Sequence, residues 1–145
     1  MGAGGIGVDV AVWLTHTPES DEEWLAHWGV GDPSLFAGGL TEPKPREPAR
    51  QVFLLQRKAS MIGKDLGKTS GWAHRAVLKQ SGVTQIKGVS YDRIDDQGLH
   101  IRVDGTARAL DVDHVVICAG QEPVRDLYDA KRAIRQGTEL AASAR

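Results

Sequence analysis

Near its N-terminus the chain reads Gly2-Ala3-Gly4-Gly5-Ile6-Gly7, which fits the spacing G-x-G-x-x-G. Ile6 to Leu14 directly behind it reads as a helix, with Ile6, Val10, Trp13 and Leu14 near one face. Each glycine has its own reason to be there. Gly2 permits a tight turn, Gly4 lets a ligand approach the backbone closely, and Gly7 lets the helix pack near its strand. The free amides and the dipole at the helix start then favour a phosphate charge. This points to an α/β unit that holds the pyrophosphate of a dinucleotide. On the pattern alone, a flexible glycine-rich terminus reads about as well. The motif should also follow a strand, and only Met1 stands before it, so the first strand of the fold is expected to be missing.

The remaining elements have to arbitrate. Pro18 should stop the first helix. Ser20 and Glu23 have capping-box spacing for a short helix through Trp24, Leu25 and Trp28. Gly29 to Arg50, with Pro33, Pro43, Pro45 and Pro48, reads as an irregular surface excursion. Gln51 to Gln56 reads as a buried strand, Arg57 to Ser70 as a basic loop, Gly71 to Ser81 as a helix ended by Gly82, and Val83 to Lys87 as a short strand.

The pattern then changes to alternation. Val89–Ile94, Leu99–Val103 and Ala107–Val112 form an expected antiparallel meander, turning at Asp95–Gly98 and at Asp104-Gly105. His114 to Cys118 is a continuous apolar run, hence an expected buried strand, ending at Ala119-Gly120. Asp129 to Ala142 reads as a helix whose apolar stripe, Ala130, Ile134 and Ala141, needs a partner surface. A meander where many α/β domains place a crossover helix is typical of nucleotide domains in flavoproteins that bind two dinucleotides. The expected fold class is therefore α/β: a Rossmann-like nucleotide domain of such a flavoprotein, with an antiparallel β-meander and its first strand missing.

The second strand of such a domain ends at the residue that reads the adenosine ribose. An acidic residue there indicates NAD, and basic residues accommodate the 2′-phosphate of NADP. Here the strand runs into Arg57-Lys58 with no Asp or Glu, which favours NADPH. A solvated basic turn is the plainer alternative. The ribose reader normally lies ~20 residues beyond the glycines, so the proline-rich excursion is expected to be an insertion.

Composition adds limits. A net charge of −1 gives no reason to expect nucleic acid or anionic lipid as a partner. Cys118 is the single cysteine, so no intrachain disulfide forms, which suits a reducing cytoplasm. Apolar runs such as Val52–Leu55 and Val115–Ala119 are too short to span a bilayer, and no signal peptide is visible.

Several stretches together resemble the bacterial-type NADPH-dependent 2,4-dienoyl-CoA reductases. They are Leu55-Gln56-Arg57-Lys58, Leu66-Gly67-Lys68-Thr69-Ser70-Gly71-Trp72, Gly88-Val89-Ser90-Tyr91, Asp95-Asp96-Gln97-Gly98-Leu99 and Val116-Ile117-Cys118-Ala119-Gly120-Gln121-Glu122-Pro123, with Asp129-Ala130-Lys131-Arg132-Ala133-Ile134-Arg135-Gln136-Gly137 resembling the C-terminal helix. The resemblance covers nearly the whole chain. It implies an NADPH domain over residues 1–118 and a remnant of the FAD domain over 119–145. Full-length members also carry a barrel with FMN, a 4Fe-4S cluster and the acyl-CoA site. Hydride passes from NADPH to FAD, and electrons pass through the cluster to FMN, which reduces the dienoyl thioester in β-oxidation of unsaturated fatty acids. By the resemblance Gly2, Gly4, Gly5 and Gly7 hold pyrophosphate, Arg57 and Lys58 hold the 2′-phosphate, and Gly120 belongs to the return into the FAD domain. The expected partners are flavin-bearing domains, of the same enzyme or of another chain.

Pro123–Tyr128 runs almost straight into the C-terminal helix, where the family has a strand and an element that contacts FAD. A non-catalytic truncated remnant is thus one alternative, and a trimethylamine-dehydrogenase-like flavoprotein another. No residue reads as a catalytic acid or base, and no zinc is expected, since His16, His27, His100 and His114 lack metal-site spacing. Gly63 and Gly67 are too close together for a phosphate loop at Lys68-Thr69, although Lys68 can still face a cofactor phosphate. Trp72 is expected to be a packing anchor, His74 structural or exposed, and Cys118 a buried small hydrophobe.

Overall fold

The computed structural model describes residues 1–122 and 130–143. Helix α1 spans Gly5–Thr15 and helix α2 Asp21–Trp28. Strand β1, Phe53–Leu55, precedes helix α3, Gly71–Gln80, and strand β2, Thr84–Ile86. The meander is β3, Val89–Asp95, β4, Gly98–Val103, and β5, Thr106–Leu110, and helix α4 is Ala130–Ser143. β1 and β2 pair in parallel, joined by the crossover through α3, while β3, β4 and β5 pair antiparallel in sequence order. The expected α/β class with its meander is what the chain forms. Among the described residues no helix is long and apolar enough to cross a membrane.

Alternation along β1 explains the layers. Successive strand residues point to opposite faces. Leu54 packs with Ala3, Val8, Ala11, Ile62, Leu78 and Val83, the core shared with α1 and α3. Leu55, one residue on, packs with Ile86, Val89, Leu99, Ile101 and Leu110, the core shared with the meander. Helices cover one side of the short parallel sheet and the meander covers the other.

Local signals behave as their chemistry dictates. Ser20 Oγ accepts from the Glu23 amide at 3.2 Å, and Glu23 Oε2 accepts from the Ser20 amide at 2.8 Å, which is the expected capping box. Asp104 and Gly105 both take positive φ, 50° and 80°, in the two-residue turn that joins β4 to β5. The excursion from 29 to 50 is irregular apart from a 3-10 turn at Ala37–Gly39 and a bridge between Val30 and Leu40.

Two expectations are corrected. The buried face of α1 is Gly7, Val8, Ala11 and Thr15, not the Ile6–Val10–Trp13–Leu14 face. Ile6 is exposed and Trp13 is 72% exposed. Val8 and Ala11 pack into the core with Leu54 and Leu78, and at Gly7 the helix lies close to the turn that precedes it. A Cβ at Gly7 would collide with the Gly2 carbonyl, so the approach suits glycine. The run His114–Cys118 is extended but is neither a laddered strand nor buried, and Ile117 is 68% exposed. Among the described residues its main-chain bonds go to Met1. The Met1 amine donates to the Val116 carbonyl at 2.6 Å, and the Cys118 amide donates to the Met1 carbonyl at 2.6 Å. The Gly2 amide in turn donates to the Leu55 carbonyl at 3.0 Å. The Met1-Gly2 backbone thus lies between β1 and Val116–Cys118.

Candidate functional site

The glycine turn, the basic loop and the segment after the meander meet at one cavity of about 330 Å³, within the size range of small-ligand pockets. Gly2, Gly4, Gly5, Arg57, Lys58 and Gly120 all line it. These residues come from three distant parts of the chain, and β1 brings them together. Its Leu55 carbonyl holds the glycine turn through Gly2, and its C-terminal end continues into the basic loop.

The glycines divide into two kinds. Gly2 has φ +96°, and a Cβ there would strike the Cys118 carbonyl. Gly2 and Gly7 are therefore required by packing, and Gly7 does not line the cavity. Gly4 and Gly5 have nothing within 4 Å of a built Cβ. They open onto the cavity at the start of α1, where unpaired amides and the positive end of the helix dipole point. Gly4 is the N-cap and has no side chain to satisfy those amides, so an anion fits there.

The basic loop is held by its own backbone. Gln56 Nε2 donates to the Lys58 carbonyl at 3.0 Å and to the Ser60 carbonyl at 2.8 Å. The Gly88 amide donates to the Lys58 carbonyl at 3.1 Å, and the Val89 amide to the Gln56 carbonyl at 3.0 Å. These bonds fold the loop against the start of β3 and leave the Arg57 and Lys58 side chains exposed at the cavity. Lys58 Nζ lies 3.6 Å from Asp65, both largely exposed, so this pair is weak and yields to a stronger anion. Beyond, Arg75 donates to the Gly63 carbonyl at 3.1 Å and fixes the turn that carries Lys64 to the cavity.

Gln56, Lys64, Tyr91 and Cys118 line the site without having been singled out for it. Gln56 and Tyr91 stand inside stretches that carried the family resemblance, which was the available clue to them. Lys68, the lysine weighed for phosphate, is not at the cavity; Lys64 is. Trp72 is 66% exposed with its indole N–H given to the Thr69 carbonyl at 2.9 Å, so it does not anchor a core. Cys118 is half-buried at the cavity wall, not a core hydrophobe. The shortened Pro123–Tyr128 connection lies outside the described residues. In α4 Ile134 is exposed.

The arrangement offers two anion subsites on one wall, a helix start and a basic loop.

Residues 1–141 match the family described as pyridine nucleotide-disulphide oxidoreductase. Among curated proteins the chain is similar to a metal reductase of Desulforamulus reducens, 25% identical over 134 residues, which are 90% of this chain and 19% of that protein. It is also similar to a mercuric reductase of Bacillus cereus, 23% identical over 79 residues, 52% of this chain and 12% of that protein. A solved complex of 2-naphthoyl-CoA reductase with 2-naphthoyl-CoA is 22% identical, with a TM-score of 0.49, over 54% of this chain and 12% of that one. The chain thus spans less than a fifth of the length of each of these proteins.

Proposed function

The chain belongs to the pyridine nucleotide-disulphide oxidoreductase family, and from that premise we propose that it is the NADPH-binding portion of a flavoprotein resembling 2,4-dienoyl-CoA reductase. In this reading NADPH gives hydride to FAD, and the electrons go on to reduce an unsaturated fatty acyl-CoA. The observation that carries the nucleotide assignment is the cavity that joins Gly4 and Gly5 to Arg57, Lys58 and Lys64. The open glycines receive the pyrophosphate at the start of α1. Arg57 reads the 2′-phosphate with its planar fork, and Lys58 and Lys64 add charge.

FAD, when bound, would supply the hydride acceptor. The chain's own part is to hold the nucleotide and set its direction. Residues 119–145 are assigned to the return into the FAD domain, with Gly120 at the rim of the cavity. The acyl-CoA acceptor rests on the sequence resemblance. A metal-reducing flavoprotein is the second reading, favoured by what the two curated relatives are named for. Both readings place the same nucleotide chemistry in this chain.

Calorimetric titration of the whole chain with NADPH and NADH, repeated on Arg57→Ala, tests the assignment. Loss of one charge-assisted contact should weaken NADPH binding by about tenfold to a hundredfold and leave NADH nearly unchanged. Equal losses for both nucleotides would remove the 2′-phosphate from Arg57.

A further inference from the structure

Tyr91 sits on β3 at a point where the strand is deliberately irregular. It pairs with Ile101, but Arg93 already pairs with His100, so Asp92 is an extra residue and β3 bulges there. The Asp92 carboxylate accepts from Arg102 Nε at 3.0 Å and holds the bulge. Bulges re-aim neighbouring side chains and recur beside functional sites. Two residues before Tyr91, Val89 is buried in the meander core and tied by its amide to Gln56. The Tyr91 ring packs at the edge of that core, and its residue forms part of the wall of the nucleotide cavity.

The phenol end is the unusual part. The hydroxyl is buried, yet it has no hydrogen-bond partner among the described residues. It lies against the Gly2 amide and within the field of Arg57, but the Gly2 amide is already given to the Leu55 carbonyl at 3.0 Å. Burial pushes the hydroxyl above its usual pKa, while Arg57 and the Gly2 amide pull the other way, so it is a neutral donor at physiological pH. A buried hydroxyl without a partner carries a desolvation cost, and such groups in folded proteins ordinarily mark a missing partner.

We propose that the Tyr91 hydroxyl donates a hydrogen bond to the ADP moiety of the bound dinucleotide, the part that NADPH and NADH share. The position follows from the neighbours. Gly2 opens the turn that runs into Gly4 and Gly5, so the hydroxyl lies beside the glycine turn, with Arg57, the first residue of the basic loop, within its electrostatic reach. This proposal rests on the nucleotide reading above.

Tyr91→Phe tests it on the whole chain, with calorimetric titration of NADPH, NADH and ADP alongside thermal melting. The variant should melt at the same temperature as the parent or higher, because it removes an unpaired buried hydroxyl. Its affinity for all three nucleotides should fall by on the order of tenfold. Unchanged affinity, with the parent still binding, would overturn the proposal and leave the nucleotide site standing. A loss confined to NADPH would overturn the placement at the shared moiety. A lowered melting temperature together with weaker binding would make Tyr91 a structural residue. A parent chain that binds none of the three would remove the nucleotide reading and this proposal with it.

Discussion

Alanine at Gly4 and alanine at Gly7 should have opposite consequences, although both glycines belong to one motif. At Gly7 a Cβ would collide with the main-chain carbonyl of Gly2, which cannot rotate away. Alanine in a helix gains about 1 kcal/mol over glycine, and overpacking against an immobile neighbour costs about 1–3 kcal/mol. The net expectation is a loss of up to about 2 kcal/mol, read as a fall in melting temperature of several degrees for a chain of this size, at roughly 2–4 °C per kcal/mol. At Gly4 the space is open, and φ −77° with ψ −171° is backbone that alanine adopts readily. The cost there is that of a poorer N-cap, about 0.5 kcal/mol. Its methyl, however, would stand where the pyrophosphate approaches, so Gly4→Ala should weaken NADPH binding by about tenfold or more, the equivalent of ~1.4 kcal/mol. Circular dichroism melts and calorimetric titrations of both variants separate the two roles. A Gly7→Ala chain more stable than the parent, showing the helix gain with no overpacking cost, would refute the close helix–turn contact. A Gly4→Ala chain with parental NADPH affinity would refute the placement of pyrophosphate at the start of α1.

Two further predictions concern the scaffold. Leu55 is 2% exposed, and Leu55→Ala opens a cavity between β1 and the meander, so urea unfolding should show a loss of about 2–5 kcal/mol; a loss under 1 kcal/mol would mean the two layers do not share that core. Asp95 accepts from Arg93 Nε at 2.8 Å and faces His100 Nε2 at 2.7 Å, and these bonds lower its pKa from 3.8 to about 2. A depressed carboxylate stabilises the folded state above its unfolded pKa and loses that contribution as pH falls towards about 2. The difference in melting temperature between the parent and Asp95→Asn should therefore be full near pH 5 and shrink on acidification through this window. A difference independent of pH would refute the role of the carboxylate charge.

Features that depend on a few neighbouring residues were legible in the sequence. The capping box needs only Ser20 and Glu23, and the β4–β5 turn needs only Asp104 and Gly105 in left-handed conformations. The alternating strands and the helix after Gly71 followed from periodicity in the same way, because local hydrogen bonds and φ angles are set within one turn of chain. Arg57 and Lys58 could be named from their place after β1. Everything that depended on which surface meets which was decided by tertiary structure. Periodicity grouped the large apolar residues of α1, but the packing of the helix on β1 and α3 buries Gly7, Val8, Ala11 and Thr15 instead. The apolar run before Cys118 carried no record that Met1 would pair with it. Lys64 and Lys68 look alike in sequence, and only the turn held by Arg75 brings Lys64 to the cavity. Tyr91 lines the cavity because backbone bonds and packing join residues that lie far apart along the chain, and side-chain direction at such a junction is fixed by packing between layers, which no local pattern encodes.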